Sequence, residues 1–251
     1  MRLPKMILFD YGHTLLHEPG FDFLRGEEKL TDFIKTNTHD FTPEQITTFA
    51  SHIFSEIGRV RQQGFDLHER QFQKFIYEYL GIEFSVPLEE AEIIQWDAVT
   101  AGGHMPGVER MLQYINAVGI RSGVISNIGW SGNALAARIN RLLPEHQFEM
   151  ILASSEYMFR KPHRYIFELA LRKANLTPEE VWFCGDNVQA DVEGAANIGV
   201  FPVWYDDKTV ENPWRNAEKD VLPACEHLHI HHWDELVIAL GKLQQEHVTA
   251  E

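Results

Sequence analysis

Apolar residues along this chain fall into two kinds of run. One kind is short and continuous: KMILFD at Lys5–Asp10, RSGVISN at Arg121–Asn127, MILASS at Met150–Ser155, VWFCGD at Val181–Asp186 and VFPVWY at Val200–Tyr205. Each is bounded by turn residues, and an unbroken apolar run suits a strand buried on both faces of a parallel sheet. The other kind repeats every three or four residues. VERMLQYINAVG, HRYIFELALRKANL and DVEGAANIG show this helical spacing and lie between the strand-like runs. Strand and helix thus alternate, which predicts an α/β fold built on a doubly wound parallel sheet.

One long stretch departs from the alternation. Between Leu16 and Gly103 no convincing strand run occurs, and EKLTDFIKTN, PEQITTFASHIFSEIGRVRQQ, HERQFQKFIYEYLG and PLEEAEIIQWDAVTA all have helical spacing. Thr42-Pro43-Glu44-Gln45 is a capping box with proline at the first helical position, which fixes one helix start. The pattern predicts an all-helical insertion, residues 16–103, set into a core made of residues 1–15 and 104–251. The polar, turn-rich stretch Tyr205–Asp220 is expected to be a loop.

Composition narrows the partners. The 251 residues carry a formal net charge of −15, so unspecific binding to nucleic acid or to an anionic membrane is disfavoured, both being polyanions. A small anionic substrate would need a local positive site or a metal. The two cysteines, Cys184 and Cys225, make no disulfide framework, which points to a reducing cytoplasm. The N-terminal apolar run is too short for a signal peptide, and no stretch is long and apolar enough to span a bilayer. Neither charge nor spacing specifies an oligomeric state.

In open parallel sheets ligands bind at the carboxyl ends of the strands. There the first run delivers Asp10, the second Ser126 and Asn127, and the fourth Asp186, with Asp191 five residues on; Lys161 follows the third run, just before a helix. Taken singly each has an ordinary reading, an aspartate or serine as a helix cap and a lysine as a solvated charge. Their joint placement suggests more. Three carboxylates in one crevice repel unless a cation sits among them, and an oxygen-only donor set suits Mg²⁺. That ion would draw a phosphate. Ser126, Asn127 and Lys161 would hold the phosphate oxygens, and Asp10 would be placed as a nucleophile.

These residues lie in motifs that resemble a known family. ILFDYGHTL, GVISN, RKPHRYIFELAL and VWFCGDNVQADVEGAANIG are similar, in order and spacing, to the four motifs of the haloacid dehalogenase-like (HAD) hydrolases, of the type with a helical cap after motif one. The resemblance covers nearly the whole chain. It implies a Rossmann-like core and a Mg²⁺-dependent phosphohydrolase that acts on a small phosphorylated metabolite through an aspartyl-phosphate. By resemblance Asp10 is nucleophile and metal ligand, Gly12 a metal ligand through its carbonyl, Asp186 the second carboxylate ligand, and Asp191 a support of the metal through water. Ser126 and Lys161 bind the transferred phosphoryl group.

One position departs from the family. Most of its phosphatases have an aspartate two residues after the nucleophile, as acid and then base; here the residue is Gly12. Such a group contributes about 10² to 10⁴ in rate. Three readings follow. The substrate has a good leaving group, such as an acyl phosphate; another residue (His13, or His17 or Arg25 from the cap) supplies the proton; or the protein binds phosphate and metal without turnover. The dehalogenases of the family carry a tyrosine at the Gly12 position and lack the full metal motif, so halide displacement is disfavoured. Phosphonate-cleaving relatives have a small residue there and a Schiff-base lysine in the cap, where this chain has Lys29, Lys35 and Lys74. Finally, HLHIHHW at His227–Trp233 reads as a short terminal strand with polar edge residues, with metal binding at His227–His232 as the alternative.

Overall fold

The first apolar run becomes β1 (Met6–Phe9), the inner strand of a six-stranded sheet in the computed structural model, which describes residues 1–212 and 221–250. A two-residue β2 (Leu16–His17) leads into the insertion, which contains α1 (Phe23–Leu30), β3 (Ile34–Asn37), α2 (Pro43–Ile57), α3 (Glu69–Leu80), β4 (Ile82–Phe84) and α4 (Leu88–Val99). β5 (Gly103–His104) pairs antiparallel with β2, so the two strands of the neck run side by side. The chain then passes through α5 (Val108–Ala117), β6 (Arg121–Ser126), α6 (Gly132–Leu142), β7 (Phe148–Ala153), α7 (Ser154–Tyr157), α8 (Arg164–Ala174) and β8 (Val181–Gly185). A π-helical turn, Val188–Glu193, precedes α9 (Gly194–Ala196), β9 (Phe201–Tyr205), β10 (Leu228–Ile230) and α10 (Trp233–Ala250).

The sheet order is β10-β9-β8-β1-β6-β7, and every neighbouring pair is parallel. Alternate residues of each strand point to opposite faces. Ile7, Phe9, Val124, Trp182 and Cys184 accordingly pack with α5, α6 and α10 on one side. Met6, Leu8, Ile125, Val181 and Phe183 pack against α8 on the other. This two-sided burial is why the strands read as unbroken apolar runs, and each buried side chain of this size contributes about 1.5–3 kcal/mol. No helix among the described residues is long and apolar enough to cross a membrane.

The doubly wound α/β class matches the expectation, and three features go beyond it. The helix expected over EKLTDFIKTN stops at Leu30, and Ile34–Asn37 instead forms an antiparallel ribbon with β4 inside the mainly helical insertion. The ribbon is short and half exposed, so it leaves no strand-like apolar run. Helices α6 and α10 extend the alternation, while the edge strand β10 is the short terminal strand expected within His227–Trp233. Of the loop expected at Tyr205–Asp220, Tyr205 closes β9, 206–212 is irregular, and 213–220 lies outside the described residues. The capping box forms as expected: Thr42 Oγ1 accepts from Gln45 N, and Gln45 Oε1 accepts from Thr42 N.

The insertion has its own apolar cluster, centred on Leu30, Ile46, Ile76, Tyr77, Leu80 and Ala91. It is also bound to the core. Trp96 of α4 stacks on Trp130, which follows β6, with centroids 5.0 Å apart and planes 5° apart. Buried Arg138 of α6 donates to Tyr11 Oη, to Asp97 Oδ1 and to the Thr100 carbonyl, and lies 3.3 Å from Glu18 Oε1. Glu92 of α4 accepts from the backbone and hydroxyl of Ser131, at 2.7 and 2.6 Å.

A cavity of about 210 Å³ lies within the insertion, lined by Phe23, Glu27, Phe54, Phe72 and Tyr77 among others. Glu27 is buried there and accepts hydrogen bonds from Tyr77 Oη at 2.9 Å and Gln95 Nε2 at 2.6 Å. Burial outweighs those bonds and pushes its carboxyl up to about 7. A folded-state pKa above the ordinary 4.5 means that the native protein holds this proton more tightly than the unfolded chain. The associated stability is present below pH 4.5 and lost as pH rises through about 7. Glu27→Gln should therefore stabilise the protein more at pH 8 than at pH 5, as read by urea unfolding midpoints; an equal effect at both would mean that Glu27 does not titrate in that window.

Candidate active site

β1 and β8 pair with Phe9 opposite Cys184, and β1 and β6 with Phe9 opposite Val124. Asp10, the residue after Phe9, and Asp186, two residues after Cys184, therefore emerge at the same carboxyl edge, together with Ser126 at the end of β6. Asp10 N donates to the Cys184 carbonyl at 2.8 Å, which extends the ladder to the nucleophile candidate itself. Asp191 comes from the π-helical turn, a local widening of the helix often found at functional sites. Asp10, Asp186 and Asp191 each offer a carboxylate oxygen, and these oxygens all lie within 4.8 Å of one another. Lys161 enters between two of them: its Nζ is 2.6 Å from Asp10 Oδ1 and 2.7 Å from Asp191 Oδ1.

Lys161 and Asp191 are almost fully buried, at 2% and 1% exposure, and this decides their electrostatics. Burial alone would lower the lysine's pKa, but the charges and hydrogen bonds of Asp10 and Asp191 outweigh it, so the ammonium is held above its ordinary value. Asp191 is pushed up to about 6 by burial, against the pull of Lys161 and with the push of the Asp10 charge. It also accepts from the Asn187 amide at 3.0 Å, which fixes its second oxygen.

Neighbouring residues hold this group in place. The Asn127 side chain donates to the Lys161 carbonyl at 2.8 Å and accepts from the Lys161 amide at 2.7 Å, so it is committed to positioning the lysine segment. Ser126 is buried beside it. A Cβ at Gly185 would fall 2.3 Å from Asp191 Oδ2. Glycine is required there so that the Asp191 carboxyl can lie against the strand end. Two contacts of Asp186 were absent from the sequence reading: Asn212 Nδ2 donates to its Oδ2 at 2.9 Å, and Trp204 Nε1 donates to its carbonyl at 3.2 Å. Both come from β9 and the segment after it. Only the β8–β9 pairing brings them near, so no local signal announces them.

The donor set fits Mg²⁺. Oxygen atoms alone converge, three of them from carboxylates, and Lys161 is the only cation paired with any of them among the described residues. At Gly12 a Cβ would meet nothing within 4 Å, so the position faces open space. Tyr11, on the alternate side of the chain, turns away and donates to Glu18 Oε1 at 2.5 Å.

The structure also sorts the candidate proton donors and cap lysines. His13 is buried and has a left-handed backbone, with its ring 6.4 Å from that of His17. His17 packs on Gly103, and Arg25 donates to the Val99 carbonyl at 2.8 Å. Lys29, Lys35 and Lys74 are exposed and paired with Asp32, Glu83 and Glu78. None of the three has the desolvated surroundings that make a lysine amine nucleophilic, which removes the basis for a phosphonate-cleaving reading.

The chain resembles known proteins along most of its length. The haloacid dehalogenase-like hydrolase family matches residues 4–199, a span that runs from β1 through Asp191. A glyceraldehyde 3-phosphate phosphatase of Pyrococcus furiosus is 26% identical over 211 residues, covering 82% of each chain. One of the same description from Methanothermobacter thermautotrophicus is 26% identical over 221 residues, 87% of this chain and 92% of that one. Among solved structures, a HAD phosphatase from Thermococcus onnurineus superposes over 96% of this chain and 98% of its own, with a TM-score of 0.61 and 19% identity. A 2-haloacid dehalogenase from Pseudomonas syringae shares the fold to a similar degree, with a TM-score of 0.60, 19% identity, and 95% and 99% of the two chains covered. The strand-end carboxylates, the buried lysine between them and the match across most of the chain have one common explanation: this protein belongs to the haloacid dehalogenase-like hydrolases.

Proposed function

We propose that the protein is a Mg²⁺-dependent phosphatase of small phosphorylated metabolites, with Asp10 carrying the phosphoryl group between two half-reactions. The observation that supports this best is the convergence of Asp10, Asp186 and Asp191 around Lys161. The relatives described as glyceraldehyde 3-phosphate phosphatases over more than four-fifths of the chain favour a small phosphorylated compound as substrate.

Asp10, Asp186 and the carbonyl of Gly12 would hold the metal, with Asp191 supporting it. Magnesium bound there would supply positive charge against the phosphoryl oxygens. A carboxylate oxygen of Asp10 attacks phosphorus, and the bond to the leaving oxygen breaks with its electron pair. Lys161 and Ser126 stabilise the charge on the transferred group, and Asn127 keeps the Lys161 segment in register. Water then attacks the phosphorus of the aspartyl-phosphate and releases Asp10. Residues 16–103 act as the cap, closing over the substrate from the neck formed by β2 and β5 and excluding bulk water.

Gly12 sets the substrate range in this scheme. With no carboxyl there to protonate the leaving oxygen, substrates whose leaving group departs as a stable anion, acyl phosphates above all, react best. Mg²⁺ removal by EDTA and the substitution Asp10→Asn should each bring phosphate release to background, with Mg²⁺ restoring only the wild type. Persistence of turnover in Asp10→Asn would end the aspartyl-phosphate reading. Gly12→Asp has room for its side chain and should raise kcat/KM on alkyl phosphates by about 10² or more while changing acyl phosphate hydrolysis little. An equal rise on both would show that leaving-group protonation is not what Gly12 withholds. Gly185→Ala should displace the Asp191 carboxyl and raise the Mg²⁺ concentration for half-maximal activity by about tenfold or more; unaltered Mg²⁺ dependence would remove Asp191 from the metal site.

A further inference from the structure

The histidine-rich segment at the sheet edge gains a partner that is distant in sequence. β9 and β10 run parallel, with His229 opposite Trp204 and Ile230 opposite Tyr205. Asp206, the residue after β9, is anchored by its amide, which donates to the Ile230 carbonyl at 2.8 Å. His229 and His231 are two apart and share one face of the edge strand. Asp206 Oδ2 lies 3.4 Å from His229 Nε2 and 3.8 Å from His231 Nδ1, and the three donor atoms all lie within 4.8 Å of one another.

We propose that Asp206, His229 and His231 form a second metal site, for a borderline divalent ion of which zinc is the foremost case, distinct in chemistry from the all-oxygen catalytic site. Zinc bonds to histidine nitrogen and carboxylate oxygen are about 2.0–2.2 Å, so adjacent donors of a tetrahedral ion stand about 3.3–3.4 Å apart. The Asp206–His229 separation already has that value, and the Asp206–His231 separation exceeds it by a few tenths of an ångström. Two imidazoles and one carboxylate favour zinc, cobalt or nickel over magnesium.

The surroundings also prepare the ligands. The His229 ring stacks on Trp204, with centroids 4.1 Å apart and planes 15° apart, which fixes its direction before any ion arrives. Burial keeps that imidazole below its ordinary pKa, and His231 and His227 add to the effect while Asp206 opposes it; the neutral ring is the form that ligates. The ion would replace the His229 Nε2 contact with Asp206 Oδ2, and neighbouring contacts must give way. Lys208 Nζ, 3.1 Å from Asp206 Oδ2, is on an exposed side chain and can swing out. His231 Nδ1 lies 3.1 Å from the Asp206 carbonyl oxygen and would exchange that hydrogen bond for the metal. Asp206, His229 and His231 leave the fourth position of the ion to water. An ion here fastens the start of segment 206–212, whose far end carries the Asn212 that donates to Asp186.

The test uses full-length protein without a histidine tag, stripped by chelator and held in saturating Mg²⁺, titrated with zinc against a chromophoric indicator. The wild type should take up about one equivalent, and cobalt in its place should give the visible absorption of a four-coordinate ion. The double variant His229→Asn/His231→Gln should lose that equivalent and keep the wild-type rate of Mg²⁺-dependent phosphate release. Asp10→Asn should keep the zinc equivalent, which separates this outcome from the fate of the phosphatase reading. No zinc uptake by the wild type, equal uptake by the double variant, or loss of uptake in Asp10→Asn would each overturn the proposal. Should the double variant fail to fold by circular dichroism, Asp206→Asn gives the same comparison.

Discussion

Three carboxylates crowded into one crevice are unstable without positive charge, and the rest of the site is organised around that repulsion. Two unit charges about 4 Å apart interact by about 4 kcal/mol at an effective dielectric constant of about 20. Lys161, buried between Asp10 and Asp191, offsets part of this, and the carboxyl of Asp191 is still pushed up to about 6. Among the described residues Lys161 is the one cation paired with this group, and an oxygen-only donor set of this kind suits a divalent ion.

Holding such an ion depends on how few degrees of freedom the ligands have. Asp10 and Asp186 follow directly on paired strands, so their backbones are fixed by the β1–β8 ladder. Lys161 is tied to β6 through both amide atoms of Asn127, and Asp191 lies against Gly185 with no room for a Cβ between them. The site is therefore pre-organised by the sheet. The insertion is attached to the core through Trp96 on Trp130, Glu92 on Ser131 and Arg138 on Asp97 and Thr100, beside the end of β6 and along α6.

Much of this could be read along the chain. Short apolar runs ending in aspartate, serine or asparagine identify buried parallel strands and what they carry at their tips, because two-sided burial and strand-end chemistry both leave local marks. The capping box at Thr42 and the helical spacing of the insertion are likewise local. Gly12 is readable as a departure, since the position is set by counting two residues from Asp10.

Other features exist only through long-range pairing. The ribbon of Ile34–Asn37 with Ile82–Phe84 is too short and too exposed to imprint a pattern, and its strands find each other only across two helices. Asn212 and Trp204 reach Asp186 because β9 lies beside β8, and Asp206 meets His229 and His231 because β10 lies beside β9. The sequence alone thus determined the class of fold and the order of the strand-end groups, through burial and periodicity. Tertiary structure decided which of those groups touch, since a contact between residues more than 20 positions apart is set by strand order and register, which no single segment encodes.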